Sequence, residues 1–266
     1  MPSEIVLRDV YLSYATPHGE GMLQILDDFS IDIERESFTV LLGPSGCGKS
    51  TLLNLINGLA SPTQADAIEV FGRDIRREPD ATRQVAYVFQ NARLLPWKTI
   101  RENIVFGLKG LRVQPKERWA ELVEKYLALV GLEDFADYYP HQVSGGMQQR
   151  ASIVRAWANE PRILLMDEPF SHLDEITAGR MRAELIDLWR RESPRRTIVF
   201  VTHDIGEAVE LGQRIVMLSP RPARIFHDQT IEVEWPRDVT DERLFKLERD
   251  TRRIFFENVR AHSADQ

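Results

Sequence analysis

The run Gly43-Pro44-Ser45-Gly46-Cys47-Gly48-Lys49-Ser50-Thr51 constrains this chain more than any other stretch. It has the form G-x-x-x-x-G-K-[ST]. The apolar run before it, Phe38 to Leu42, reads as a short buried strand, and Thr51 to Asn57 after it reads as a helix ended by Gly58. Strand, glycine loop and helix together form a phosphate-binding context. Glycines let the backbone curl around an anion, so that N–H groups converge at a helix N-terminus where the dipole is positive. Lys49 adds a mobile cation for the β- and γ-phosphates, and Ser50 offers a hydroxyl to Mg²⁺. Cys47 fills a variable position of the loop and needs no chemical role.

The chain has 266 residues, enough for one large domain or two small ones. Its net charge of −7 argues against a nucleic-acid partner, which shows itself as a basic face. A single cysteine excludes an intramolecular disulfide and fits a reducing compartment. The start, Met1-Pro2-Ser3-Glu4, lacks the basic-then-apolar pattern of a signal peptide. No apolar run approaches the roughly 20 residues of a membrane helix. A cytoplasmic protein is expected, acting at a membrane only from its surface or through a partner.

Residues 4–15 alternate as a strand, 16–21 read as a loop, and Phe29 to Ile33 alternate again. After the phosphate loop and its helix come strands at Ala67 to Phe71 and Val85 to Phe89, with a turn at Gly72 to Asp74 between them. From Ile100 to about Val130 the pattern turns helical, with Pro115 near a helix start and Gly131 as a stop. Strands resume at Arg162 to Asp167, Thr197 to Thr202, Arg214 to Ser219 and Ala223 to Glu234, and a helical run covers Asp174 to about Arg191. The alternation predicts an α/β fold with a largely parallel sheet and ligands at the strand C-termini. The expected division is a single domain over 1–266: a core of 1–90 and 156–235, a helical insertion at 91–155, and a C-terminal helix at 240–260. The first strands form a separate antiparallel part. In the last helix Leu244, Leu247, Thr251, Ile254 and Phe255 share one face, and mixed acids and bases on the other favour packing on the core over a membrane surface.

Other pieces of a site follow. Ile163 to Asp167 is an apolar strand ending in Asp167 and Glu168. Asp167 is placed to hold Mg²⁺ and Glu168 to act as general base on a water. Gln90 ends a strand where the helical part begins, with an amide suited to Mg²⁺ and the attacking water. His203 follows another strand and can donate to a γ-phosphate. Ser144-Gly145-Gly146 opens a helix and makes a second anion site. The two anion sites serve one nucleotide within a monomer, or the second faces a nucleotide held by another copy.

Val143-Ser-Gly-Gly-Met-Gln-Gln-Arg150 resembles the signature sequence of the nucleotide-binding subunits of ABC transporters, L-S-G-G-Q followed by Q-Q-R. With the phosphate loop, Gln90, Asp167-Glu168, the turn Ser171 to Asp174 and His203, the family's motifs occur in the family's order over nearly the whole chain. The resemblance implies a P-loop NTPase (RecA-like) core with an antiparallel β part and a helical insertion, the ABC ATPase fold. It implies an ATPase that takes ATP and Mg²⁺ and dimerises head to tail. In that dimer the phosphate loop of one copy and Ser144, Gly145 and Gly146 of the other enclose ATP. It also implies Tyr14 as the aromatic on adenine, Glu168 as catalytic base, His203 as switch residue and Asp174 in a turn linking the two sites. Val143 and Met147 depart from the usual Leu and Gln, and His172 stands where Ala is common.

Leu94-Leu95-Pro96-Trp97 after Gln90, and Leu218-Ser-Pro-Arg-Pro-Ala-Arg-Ile225, resemble the importers of nitrate, sulfonate and taurine type. That resemblance implies integral membrane permease subunits as partners, a solute-binding protein acting indirectly, and a peripheral place on the cytoplasmic face of the membrane. Leu94 to Trp97 are then candidates for receiving a coupling helix of the permease. A soluble ABC ATPase working on nucleic acid or the ribosome, and the ATPase of an exporter, are the other readings. One cassette, a short helical insertion and negative charge speak against the former, and the Leu94–Trp97 pattern against the latter.

Overall fold

The computed structural model describes residues 2–16, 21–111, 115–237 and 240–264. The elements begin with β1 (Ser3–Ala15), β2 (Met22–Glu34), β3 (Phe38–Leu42), α1 (Lys49–Ile56), β4 (Ala67–Val70) and β5 (Arg73–Asp74). They continue with β6 (Val85–Val88), α2 (Ile100–Leu111), α3 (Trp119–Leu129), α4 (Gly145–Trp157), β7 (Ile163–Asp167) and α5 (Glu175–Arg191). Last come β8 (Thr197–Thr202), α6 (Ile205–Leu211), β9 (Arg214–Leu218), β10 (Ile225–Thr230) and α7 (Glu242–Ala264). The chain divides into two compact units, one of residues 1–82 with 197–266 and one of residues 83–196.

In the first unit β2, β1, β4 and β5 form an antiparallel sheet. One face of β1 and β2 is buried in alternation, through Ile5, Leu7, Val10, Leu12, Phe29, Ile31 and Ile33, which is what a half-buried sheet requires. β3 lies between β8 and β9, parallel to both, and β10 closes against β9 antiparallel. All five residues of β3 and all six of β8 are buried, matching continuous apolar strands covered on both faces. The turn expected at 72–74 sits one residue earlier. Phe71 and Gly72 take φ of 56° and 71°, as a two-residue hairpin of the primed type requires, and Arg73 and Asp74 then pair back onto β4. The strand expected over 223–234 is limited to β10; one further bond in the same register, Ile231 N to the Gln213 carbonyl at 2.7 Å, follows it. The loop expected at 16–21 falls mostly on 17–20, outside the described residues.

The apolar face of α7 packs within this unit. Leu244, Thr251 and Phe255 are buried, the Phe255 ring lies 6.4 Å from that of Phe226, and the Gln229 amide donates to the Thr251 hydroxyl at 2.9 Å.

In the second unit β6 and β7 pair in parallel, Val85 opposite Ile163. α2 and α4 approach closely at Gly107, where a Cβ would stand 2.8 Å from Cγ of Arg155. Trp157 and Trp189 are fully buried, and Arg196 ties them, stacking on Trp157 and accepting from the Trp189 indole at its carbonyl.

Candidate functional site

The first unit carries the phosphate loop between β3 and α1. Three glycines there have a geometric reason. A Cβ on Gly43 would meet the Cys47 sulfur at 2.8 Å, one on Gly48 would meet Cγ2 of Ile25 at 2.9 Å, and Gly46 and Gly48 adopt φ of +76° and +125°. Residues with side chains rarely adopt those conformations, which curl the backbone ahead of α1. Lys49 is buried, and its ammonium donates to the carbonyls of Gly43 at 2.8 Å and Pro44 at 3.1 Å. The loop's cation is therefore held at its mouth, and α1 begins directly beneath, offering the amides of a helix N-terminus. A curled glycine backbone, a lysine and a hydroxyl at Ser50 suit a polyphosphate. Burial pushes the Cys47 thiol up, so it stays protonated and packs as an apolar group.

Two further residues of this unit belong to the candidate set. Tyr14 lies near the end of β1, opposite Leu23 of β2, and is 46% exposed, so its ring is available to a ligand and is not a core aromatic. His203 follows β8 and is exposed. Its neighbours fix the backbone there. The Thr202 hydroxyl accepts from Asp204 N and donates to Glu207, while the Asp204 carboxylate caps α6 by accepting from Glu207 N at 3.0 Å.

The second unit carries the carboxylates and the second anion site. Asp167 ends β7 with its side chain buried, and Tyr87 on β6 donates a hydroxyl to it at 3.3 Å. Burial, followed by the Asp167 charge, raises the Tyr87 phenol pKa well above its ordinary value, so Tyr87 acts as a donor. An anchored carboxylate oxygen suits a hard cation such as Mg²⁺. Glu168 follows at φ 44°, an uncommon conformation for a residue with a side chain, and its carbonyl accepts from both N and Oγ of Ser171. The turn that follows leads to Asp174, which caps α5 by accepting from Thr177 N at 3.0 Å.

Ser144 caps α4, its hydroxyl accepting from Met147 N at 3.2 Å, and Gly145 and Gly146 open the helix. Both Ser144 and Gly145 are exposed, and a Cβ on Gly146 would press on Leu173 at 3.0 Å. Gln90 lies just beyond β6 and is exposed. The buried Gln149 of α4 donates to the Phe89 carbonyl at 3.1 Å, and Arg155 donates to the carbonyls of Ala92 and Arg93. The segment on either side of Gln90 is thus bound to the helix that Ser144 begins. Asn103, fully buried, holds the backbone of Leu95, Lys98 and Thr99, which presents Trp97 at 69% exposure. Sequence reasoning assigned no role to Tyr87, Gln149 or Arg155. Gln149 lies in the run that resembles the signature, which does not say what its side chain reaches, and a tyrosine inside a strand or an arginine within a helix carries no pattern that marks it.

Residues 26–171 match the family model described as ABC transporter. A taurine import ATP-binding protein of Rhizobium johnstonii is 46% identical over 212 residues, 80% of this chain and 78% of that protein. A nitrate import ATP-binding protein of Synechocystis sp. is 42% identical over 230 residues, 86% of this chain and 84% of that protein. Among solved structures, the dimeric post-hydrolysis state of an ATP-binding cassette bound to ADP and Pi superimposes with a TM-score of 0.72 at 32% identity, covering 86% of this chain and all of that one.

Proposed function

This chain belongs to the ABC transporter family as an ATP-binding, ATP-hydrolysing subunit, and from that premise we propose that it powers a membrane importer of small anions of the taurine, nitrate or sulfonate type. The kinship with proteins named for taurine and nitrate import carries the import reading. The proposed working unit is a head-to-tail pair of single-domain cassettes, each a core with a helical insertion, bound to integral permease subunits that receive solute from a binding protein. Among the described residues no helix is long and apolar enough to cross a membrane, which suits a subunit held peripherally on the cytoplasmic face.

The roles assigned are these. Gly43 to Thr51 hold the phosphates of ATP through amides and Lys49, with Tyr14 against adenine. Ser144, Gly145 and Gly146 engage the γ-phosphate of the nucleotide on the second copy. Ser50, Gln90 and Asp167 would supply oxygen ligands to Mg²⁺, whose charge would offset that of the phosphates. Glu168 takes a proton from the attacking water, His203 donates to the γ-phosphate, and Asp174 braces the turn that joins the two sites. ATP favours the closed pair by binding it better than the open one, and hydrolysis releases that bias.

The test is twofold. Purified chain is expected to hydrolyse ATP, and Lys49→Ala to lose binding or turnover, with unchanged ATPase activity in that variant removing the phosphate-loop assignment. Affinity capture from detergent-solubilised membranes is expected to bring down a permease. Recovery of ribosomes or DNA in its place overturns the import reading.

A further inference from the structure

We propose that Arg221 is a positioning residue for the phosphate loop, fixing the Gly46 carbonyl and strengthening the loop's hold on a nucleotide triphosphate. The inference rests on the reading of that loop as an ATP site and adds a residue to it that neither the motifs nor the kinship assigns.

Arg221 stands 175 positions from Gly46 in sequence, yet its Nε and Nη2 both donate to the Gly46 carbonyl, at 3.1 and 2.6 Å. The arrangement is braced from both ends. Gly46 adopts φ +76°, and a Cβ there would stand 3.2 Å from the Arg221 guanidinium. The left-handed turn thus fits the guanidinium closely. Arg221 is projected from the turn between β9 and β10, which is closed on itself. Ser219 N donates to the Arg224 carbonyl, and the Ser219 hydroxyl accepts from Arg224 N and donates to the Pro222 carbonyl. The turn is also fastened to β2, since Ala223 N donates to the Ile25 carbonyl and Arg224 pairs with Asp27. Ile25 is the residue that forces a glycine at position 48. One short segment therefore touches the phosphate loop directly at Gly46 and indirectly at Gly48.

The physical consequence concerns the loop's polarity. Lys49 holds the carbonyls of Gly43 and Pro44, and Arg221 holds that of Gly46. Two cations thus engage three carbonyls of the loop, so those oxygens are not directed at a bound anion. A charged donor on the Gly46 carbonyl also polarises the N–H of the same peptide, that of Cys47, which donates to the Pro44 carbonyl at 3.3 Å, so Arg221 tightens the turn that shapes the loop for phosphate. The charge of Arg221 is felt at the next residue, where it works with Lys49 against the burial that raises the Cys47 thiol.

The experiment compares wild type, Arg221→Gln and Arg221→Lys by steady-state ATP hydrolysis and by fluorescent-nucleotide binding to the purified protein. Arg221→Gln is expected to raise the KM for ATP and the Kd for nucleotide about tenfold, as loss of a charged hydrogen bond does, with kcat within about twofold. Arg221→Lys, which keeps the charge, is expected to recover most of the affinity. A merely structural arginine would lower the melting temperature and leave KM unchanged. Equal affinity in wild type and Arg221→Gln overturns the proposal, and no nucleotide binding by wild type would overturn the ATP-site reading itself. If Arg221→Gln does not fold, Arg221→Met keeps the aliphatic stem and is read in the same way. Failure of both to fold makes Arg221 a folding residue and overturns its positioning role.

Discussion

The Tyr87 hydroxyl on β6 is 3.3 Å from the carboxylate of Asp167 at the end of β7 and donates to it. The bond spans 80 residues of sequence and aims the carboxylate proposed to hold Mg²⁺. Tyr87→Phe keeps the ring, which stacks on Phe89 at 4.2 Å, and removes only the donor. We expect a stability loss of about 1 kcal/mol in a urea melt. The Mg²⁺ concentration for half-maximal ATP hydrolysis is expected to rise severalfold. An unchanged Mg²⁺ requirement would leave Tyr87 with a packing role alone.

Glu168 occupies a strained position, φ 44°, next to that carboxylate. Uncommon backbone conformations held by the surrounding turn cluster at reacting groups, which motivates the test of Glu168. Glu168→Gln retains size and hydrogen-bonding capacity and cannot take a proton. ATP hydrolysis is expected to fall by about 100-fold or more. ATP binding should persist and the ATP-bound dimer accumulate, as read by phosphate release and size-exclusion chromatography. Wild-type turnover would falsify the base assignment.

The parts of this protein that follow a local rule were legible in its sequence. Phe38 to Leu42 is an apolar run before a glycine loop, and it is the buried β3. Ser144 and Asp174 each open a helical pattern, and each is the side-chain cap of its helix. The face from Leu244 to Phe255 keeps its helical spacing and packs inward. What could not be read depends on pairing between distant segments. Nothing near Arg221 says that its turn folds against Gly46, and nothing near Gln149 says that it reaches Phe89. Backbone signs of φ at Phe71 and Glu168 were equally hidden, because a left-handed residue with a side chain is set by the surrounding turn and not by its own propensity.

Arg237 closes the end of α6. Its Nη1 donates to the carbonyls of Val209, Glu210 and Gly212, its Nε donates to Val233, and the guanidinium stacks over Trp235 at 4.3 Å. Burial pushes its pKa down to about 10, which still leaves it charged at neutral pH. Removing it leaves helix-terminal carbonyls without their donor. Arg237→Ala is expected to cost about 2 kcal/mol of stability. Nucleotide affinity in the folded fraction should be unchanged. The two are separated by denaturant unfolding and ligand titration of the same variant.

Asp174 tests whether a helix cap also serves the turn between two nucleotide sites. Its carboxylate accepts from Thr177 N at 3.0 Å, and that backbone bond is the main cause holding its pKa below the ordinary value of 3.8. The sign follows from linkage. A carboxyl more acidic in the folded state stabilises it above the unfolded pKa, and the contribution disappears as pH falls through the folded value. Asp174→Asn keeps an oxygen for Thr177 N and removes the charge, so its melting temperature should stay near wild type at pH 7 and fall less on acidification below pH 4. Asp174→Ala loses the cap itself and should melt lower at pH 7. The functional readout is separate from both. If the turn links the sites, Asp174→Asn lowers ATP hydrolysis while the fold and single-site nucleotide binding hold. A variant that folds, pairs and hydrolyses like wild type confines Asp174 to capping α5.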